Sequence, residues 1–187
     1  MLYLNFSPFP TLTTDRLVLR RPLATDDREI LSLRSDVTVN KFLDRPIASS
    51  IRDAQQFLQK LKSIIDKNDG IAWAINLKGD TTLLGVVCFW NISKETAIAE
   101  IGFELTPRYQ GRGIMLEAVL KAVNYAFIAM NVTAIEGWTH KENISSIRLM
   151  EKSNFCRDTE AEANHEGQDY FVNMVIYSLK QQKNVKL

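Results

Sequence analysis

The residues in this chain whose types and spacing could do chemistry lie in one short run, Arg108-Tyr109-Gln110-Gly111-Arg112-Gly113. Two glycines two apart let a backbone pass close to a ligand. The helical pattern behind them, residues 115–130, would aim unpaired N–H groups and a positive dipole end at the same point. An apolar run, Ile98–Leu105, leads into the turn. Strand, glycine turn and helix start together predict an anion site, and a pyrophosphate suits it. Taken alone, Gly-x-Gly also describes an ordinary tight turn.

Other chemistries have little to stand on. Cys88 and Cys156 have neither metal-pair nor C-x-x-C spacing, and are expected as reduced, partly buried thiols in strand-like apolar settings. His140 and His165 lie far apart in sequence, so no metal is expected. A net charge of +1 leaves no nucleic-acid footprint. No run approaches the ~18–20 apolar residues of a membrane span. The first ten residues hold two prolines and no charged n-region, unlike a signal peptide. A cytoplasmic protein with no membrane partner is the expectation.

At 187 residues with 45% hydrophobic content, the chain can build a real core, and residues 1–187 are expected to form a single domain. Residues 14–20 alternate as a half-buried strand. Asp26 with Glu29 suggests a capping box ahead of Ile30, Leu33 and Val37. Ser50 and Asp53 cap a clearer helix with the stripe Ile51, Ala54, Phe57, Leu58, Leu61, Ile64, Ile65, stopped by Gly70. Strands follow at Ile71–Leu77, 83–90 and Ile98–Leu105. After the glycine turn, Leu116, Val119, Leu120, Val123 and Phe127 form an apolar helical face. A strand at Ala134–His140, a helix from Asn143 to Lys152, and strands at 155–159 and 170–179 complete the order. The polar stretch 160–169 separates the last two. This is an α/β chain with a mixed sheet, and its strand–helix–strand unit at residues 98–140 predicts a right-handed parallel crossover. The glycine turn then sits at the carboxyl end of its strand, where α/β sheets bind ligands.

The turn fits neither a P-loop, which needs a Lys-Ser or Lys-Thr, nor a dinucleotide fingerprint, which needs a third glycine. With its strand and helix, Arg108-x-x-Gly111-x-Gly113 instead resembles the acetyl-CoA signature of the GNAT superfamily of N-acetyltransferases. Ala99-Glu100-Ile101-Gly102-Phe103 resembles that family's central strand. The run from Asn143 to Phe155 resembles its second motif in the RimJ/RimL-type form, and Thr14-Asp15-Arg16-Leu17-Val18-Leu19-Arg20 resembles that branch's opening strand. The likeness covers about residues 11–179. It implies a mostly antiparallel mixed sheet, flanked by helices, with a central splayed parallel pair.

The resemblance also implies roles. Backbone groups at Phe103–Leu105 would pair with pantetheine amides, a form of strand addition. N–H groups of Gln110, Gly111, Arg112 and Gly113, with Met115, would hold the pyrophosphate, and Arg108 and Arg112 would add charge. Asn143 would cap its helix and reach the cofactor arm. Many members carry a tyrosine acid where this chain has Met150, so Ser146 becomes the candidate acid. Its alternative is a hydroxyl bonded back to its own helix. Asn154 replaces a usual glycine, in a conformation asparagine tolerates.

A carboxylate or an ordered water must take the amine's proton. Glu104, Glu166 and Glu100 are the candidates. A backbone N–H near Phe103 would polarise the thioester carbonyl. The implied reaction is direct transfer from acetyl-CoA, in a ternary complex, to a primary amine on a peptide N-terminus or a small molecule. The acceptor groove would come from residues 26–67 and the loop 160–169. A homodimer is a further expectation of the resemblance. A coenzyme A-binding protein without catalysis is the alternative.

Overall fold

Hydrophobic alternation and helical stripes place most elements in this computed structural model, which describes residues 1–165 and 167–181. The strands are β1 (Leu12–Thr13), β2 (Leu17–Arg20), β3 (Ile71–Leu77), β4 (Gly85–Trp90), β5 (Ile98–Leu105), β6 (Ala134–His140), β7 (Cys156–Arg157) and β8 (Met174–Lys180). They form one sheet in the order β1-β2-β3-β4-β5-β6-β8-β7. Every neighbouring pair is antiparallel except β5 with β6. The crossover between those two carries α4 (Ile114–Tyr125). The other helices are α1 (Asp27–Ser35), α2 (Val37–Asn40), α3 (Ile51–Asp66), α5 (Ile144–Lys152) and α6 (Thr159–Ala163). None of the described helices is long and apolar enough to cross a membrane.

The Ser50–Asp53 capping box forms as expected, and α3 buries Ala54, Leu58, Leu61 and Ile65. Each large side chain so buried stabilises the fold by about 1.5–3 kcal/mol. Trp73, fully buried on β3, meets Phe89 and the α4 residue Tyr125 edge-on, and its indole N–H donates to the Pro10 carbonyl at 2.7 Å. That bond and the buried Phe6 strap the start of the chain across the core.

Several local expectations are corrected. Asp26 does not cap a helix with Glu29. It is buried, takes both nitrogens of the Arg20 fork at 2.6 and 2.9 Å, and accepts the Leu23 N–H at 2.7 Å. A bidentate charged pair outcompetes a solvent-side cap. Val37 leaves the α1 stripe because Asp36 starts a new turn, accepting from Thr38 and Val39. Asn68, at φ +57°, turns the chain out of α3 ahead of Gly70. Gly70 serves close packing instead, since a Cβ there would lie 2.6 Å from the Phe89 carbonyl.

The α4 pattern gives way to a π-helical turn at Ala126–Met130. Its buried stripe is Ile114, Met115, Ala118, Val119, Ala122 and Val123, which leaves Leu120 exposed. The strand expected at 155–159 shrinks to β7, leaving Phe155 in the core but Cys156 exposed. The last strand starts at Met174, after a 3-10 turn at Asp169–Phe171, and α6 occupies part of the polar stretch. Asn154 adopts φ +67° after α5, the left-handed conformation expected of it.

Candidate active site

The site begins where two parallel strands part. β5 pairs with β4 from Glu100 to Leu105, but with β6 only at Ile98, Ala99 and Glu100. β6 runs on to His140 alongside β8. From Ile101 onward, therefore, the β6-facing edge of β5 has no strand partner, and a cleft of about 580 Å³ opens there. Side chains alternate along β5. Ile101 approaches Gly137 and Met150 on the side of α5, whereas Glu104 meets arginines of the α1 side. Met150 is buried in the tyrosine position, over a glycine that makes room for it: a Cβ on Gly137 would fall 2.4 Å from its sulfur.

The glycine turn closes one end of the cleft. Gly111 and Gly113 have φ +72° and +74°, where a side chain is strained, and a Cβ on Gly111 would point into open space. Among the described residues, no protein acceptor takes the backbone N–H groups of Gly111 to Leu116; the first is Glu117 N–H, on the Gly113 carbonyl at 3.0 Å. These are the orphan donors of a helix start, arrayed on a curved turn. Gly111, Gly113 and Met115 line the cleft.

Gln110 lines the cleft too, but its N–H goes to the Pro107 carbonyl at 3.0 Å, and its side-chain amide donates to the Leu105 carbonyl at 2.9 Å. It braces the turn against the strand end. Arg108 and Arg112 lie outside the cleft lining, exposed, with their guanidiniums over the Tyr109 ring at 4.8 and 5.8 Å.

A clamp holds the turn from behind. Arg16 donates Nη1 to the Arg112 carbonyl at 3.1 Å and Nε to Glu117 at 2.6 Å. Glu117 also accepts the Arg16 N–H at 3.1 Å and the Thr14 hydroxyl at 2.5 Å. Burial pushes the Glu117 pKa up, but the bonds from Thr14 and Arg16 together outweigh it and hold the carboxyl below its ordinary value. Sequence reasoning missed this clamp. Its only signal was the Thr-x-Arg spacing at the start of β2.

At the far wall Asn143 Oδ1 caps α5, accepting from the Ser146 N–H at 3.2 Å. The half-buried Ser146 hydroxyl lines the cleft and has no protein partner among the described residues. Ser153, by contrast, bonds back to the Leu149 carbonyl at 2.9 Å.

The glutamates separate. Glu104 lines the cleft with Arg45 Nη2 at 2.6 Å and Arg34 Nη1 at 3.7 Å. Glu100, also in the lining, accepts the Asn91 side-chain amide at 2.8 Å. Glu166 lies outside the described residues. The described residues of the loop around it contribute nothing to this cleft and border a separate hollow with Thr159 and Phe171. Among the described residues, α1, α2, α3 and the loop after α2 line this part of the cleft, and those of the polar loop do not. Glu162 in that loop is engaged by Arg157 at 2.9 Å and by the Ile176 N–H at 3.0 Å.

Cys88 borders the cleft, donating to the Gly102 carbonyl at 3.4 Å. Burial, with help from Glu104, pushes its thiol up to about 12. Among the described residues no group of His, Cys, Asp and Glu could hold a metal ion.

Residues 16–155 match the family model described as an acetyltransferase (GNAT) domain. An uncharacterized N-acetyltransferase of Bacillus subtilis, YoaA, is 29% identical over 150 residues, covering 80% of this chain and 85% of its own length. A second, p20 of Bacillus licheniformis, is 26% identical over 169 residues, 90% of this chain and 95% of its own. RimL, a ribosomal L7/L12 alpha-N-protein acetyltransferase solved with coenzyme A, superposes with TM-score 0.77 at 16% identity, covering 91% of this chain and 98% of that one. The microcin C7 self-immunity acetyltransferase MccE, solved with acetyl-CoA and AMP, gives 0.74 at 20% identity, covering 90% and 94%. These two structural likenesses establish the shared fold.

Proposed function

The chain belongs to the GNAT family of N-acetyltransferases, and from that premise we propose that it transfers acetyl from acetyl-CoA to a primary amine by direct attack in a ternary complex. One observation carries this reading. The unpartnered N–H row from Gly111 to Leu116 and the unpaired edge of β5 from Ile101 to Leu105 open on the same cleft. The first suits a pyrophosphate and the second a pantetheine arm lying as an added strand. With the arm there, the thioester comes beside Phe103, whose backbone N–H polarises the carbonyl.

Direct attack suits the thiols. A Cys88 thiol pushed up to about 12 is not a thiolate at neutral pH. The amine nitrogen bonds to the carbonyl carbon, the carbon–sulfur bond breaks, and the Ser146 hydroxyl hydrogen-bonds the departing sulfur. Glu104 already faces Arg45 and Arg34, so we assign proton removal from the amine to Glu100, whose one side-chain partner among the described residues, Asn91, is neutral.

The test is acetyl-CoA turnover, with release of the free thiol, over a panel of peptides, amino acids and other small amines. Turnover dependent on an amine is expected. Tight coenzyme A binding with transfer to none of them would overturn the proposal.

A further inference from the structure

Resting on the acetyl transfer proposed above, we infer that the acceptor is a small amine bearing a carboxylate on an apolar or aromatic body, its carboxylate seated on the fork of Arg34 and Arg45. The fork is one anion short. Two guanidiniums face a single carboxylate, Glu104, and that carboxylate is divided unequally. Arg45 takes one oxygen at 2.6 Å, while Arg34 stands 3.7 Å from the other, beyond hydrogen-bond range.

Arg34 is not a solvated surface cation. Its side chain is 16% exposed, and its guanidinium lies over the Phe57 ring at 3.8 Å. Its backbone carbonyl is pinned by the Ala48 N–H at 3.1 Å and the Asn40 side-chain amide at 2.9 Å. Among the described residues, its guanidinium meets a carboxylate only in that longer contact with Glu104. Burial lowers its pKa, Glu104 offsets part of that, and the like charge of Arg45 lowers it further. Arg45 is oriented by Asn40 Oδ1, which accepts its Nε–H at 2.8 Å, leaving Nη1 for a ligand. A half-buried guanidinium without a full partner is costly, and a planar carboxylate matches its paired N–H groups.

Around the fork this half of the cleft is largely apolar. Val39, Phe42, Leu43, Phe57 and Trp90 line it, and Phe42 is stacked on His140 at 5.2 Å. An amino acid with an apolar side chain meets both features. A peptide N-terminus has a neutral amide where the amino acid has its carboxylate, and would leave Arg34 with only its 3.7 Å contact to Glu104.

The experiment measures binding by calorimetry, to the chain alone and to the chain saturated with coenzyme A. The probes are N-acetyl-phenylalanine and N-acetyl-leucine, their primary amides, an N-acetylated tripeptide amide, and N-acetyl-O-phosphoethanolamine. The carboxylates are expected to bind about 10-fold or more tighter than their amides. That ratio should fall towards one in Arg34→Gln and in Arg45→Gln, with the melting temperature reporting that each variant has folded. Amides or the tripeptide binding as tightly as the carboxylates, a tighter phosphoryl probe, or no carboxylate binding at millimolar concentration would each overturn the inference. Failure to bind coenzyme A counts against the transfer reading alone, since the carboxylate-to-amide ratio is still measured on the free chain.

Discussion

The two ends of the cleft are made in different ways. The end proposed for the phosphates offers consecutive backbone amides, Gly111 to Leu116, shaped by two left-handed glycines. The other end takes side chains from α1, the loop after α2, α3, β4 and β5, where Arg34, Arg45, Phe57, Trp90 and Glu104 converge from distant parts of the chain. Backbone donors suit a ligand that never changes, because no side-chain substitution removes them. Side chains gathered from five elements can be exchanged one at a time, and so suit a ligand that differs between relatives. The division predicts that damage to one end should spare the Michaelis constant of the other.

The sharpest way to break that comparison is Gly113→Val. A β-branched residue at φ +74° is strained whatever space surrounds it, and should distort the glycine turn. The KM for acetyl-CoA should rise about 100-fold or more with the acceptor KM little changed, and equal movement of both would show that the ends are not separable. Next is Ser146→Ala, which should lower kcat about 10- to 100-fold while acetyl-CoA still binds; an unaltered kcat would return that hydroxyl to a structural role.

Glu117→Gln should weaken acetyl-CoA binding several-fold through the turn, without touching the ligand. Its effect on stability has a definite sign. A carboxylate held below its ordinary value stabilises the fold above the unfolded value of about 4.3, and that contribution is lost as pH falls through the lower folded value. The melting temperatures of wild type and variant should therefore differ at neutral pH and converge in acid. Smallest of all is Cys88→Ala, for which turnover should stay within about 2-fold; abolished turnover in a folded variant would end the case for direct attack.

The same division explains what was legible in the sequence. The glycine turn is local, so spacing located Gly111 and Gly113, while the family resemblance pointed to Met115, Asn143 and Ser146; the structure brings all five to one cleft. β3, β5 and β6 were readable to their end residues because alternation and turn residues lie within each segment. Glu104 was placed correctly on its strand, but its arginine partners, 59 and 70 positions earlier, carry no local signature. Gln110 looked like a donor to ligand because its own turn, closed on Pro107, could not be anticipated from a glycine pattern. The loop 160–169 drew attention by its charges, yet Glu162 folds inward onto Arg157 and β8. Net charge along a segment says nothing about which way it folds.

The Arg16 clamp ties the second strand of the chain to the helix behind the phosphate turn across 101 positions of sequence. Such a link works in both directions: whatever stiffens one end must stiffen the other by the same free energy. Occupancy of the turn by coenzyme A would slow opening of the first twenty residues, and a protease cutting there would act as a competitor of the cofactor although it touches no part of its site.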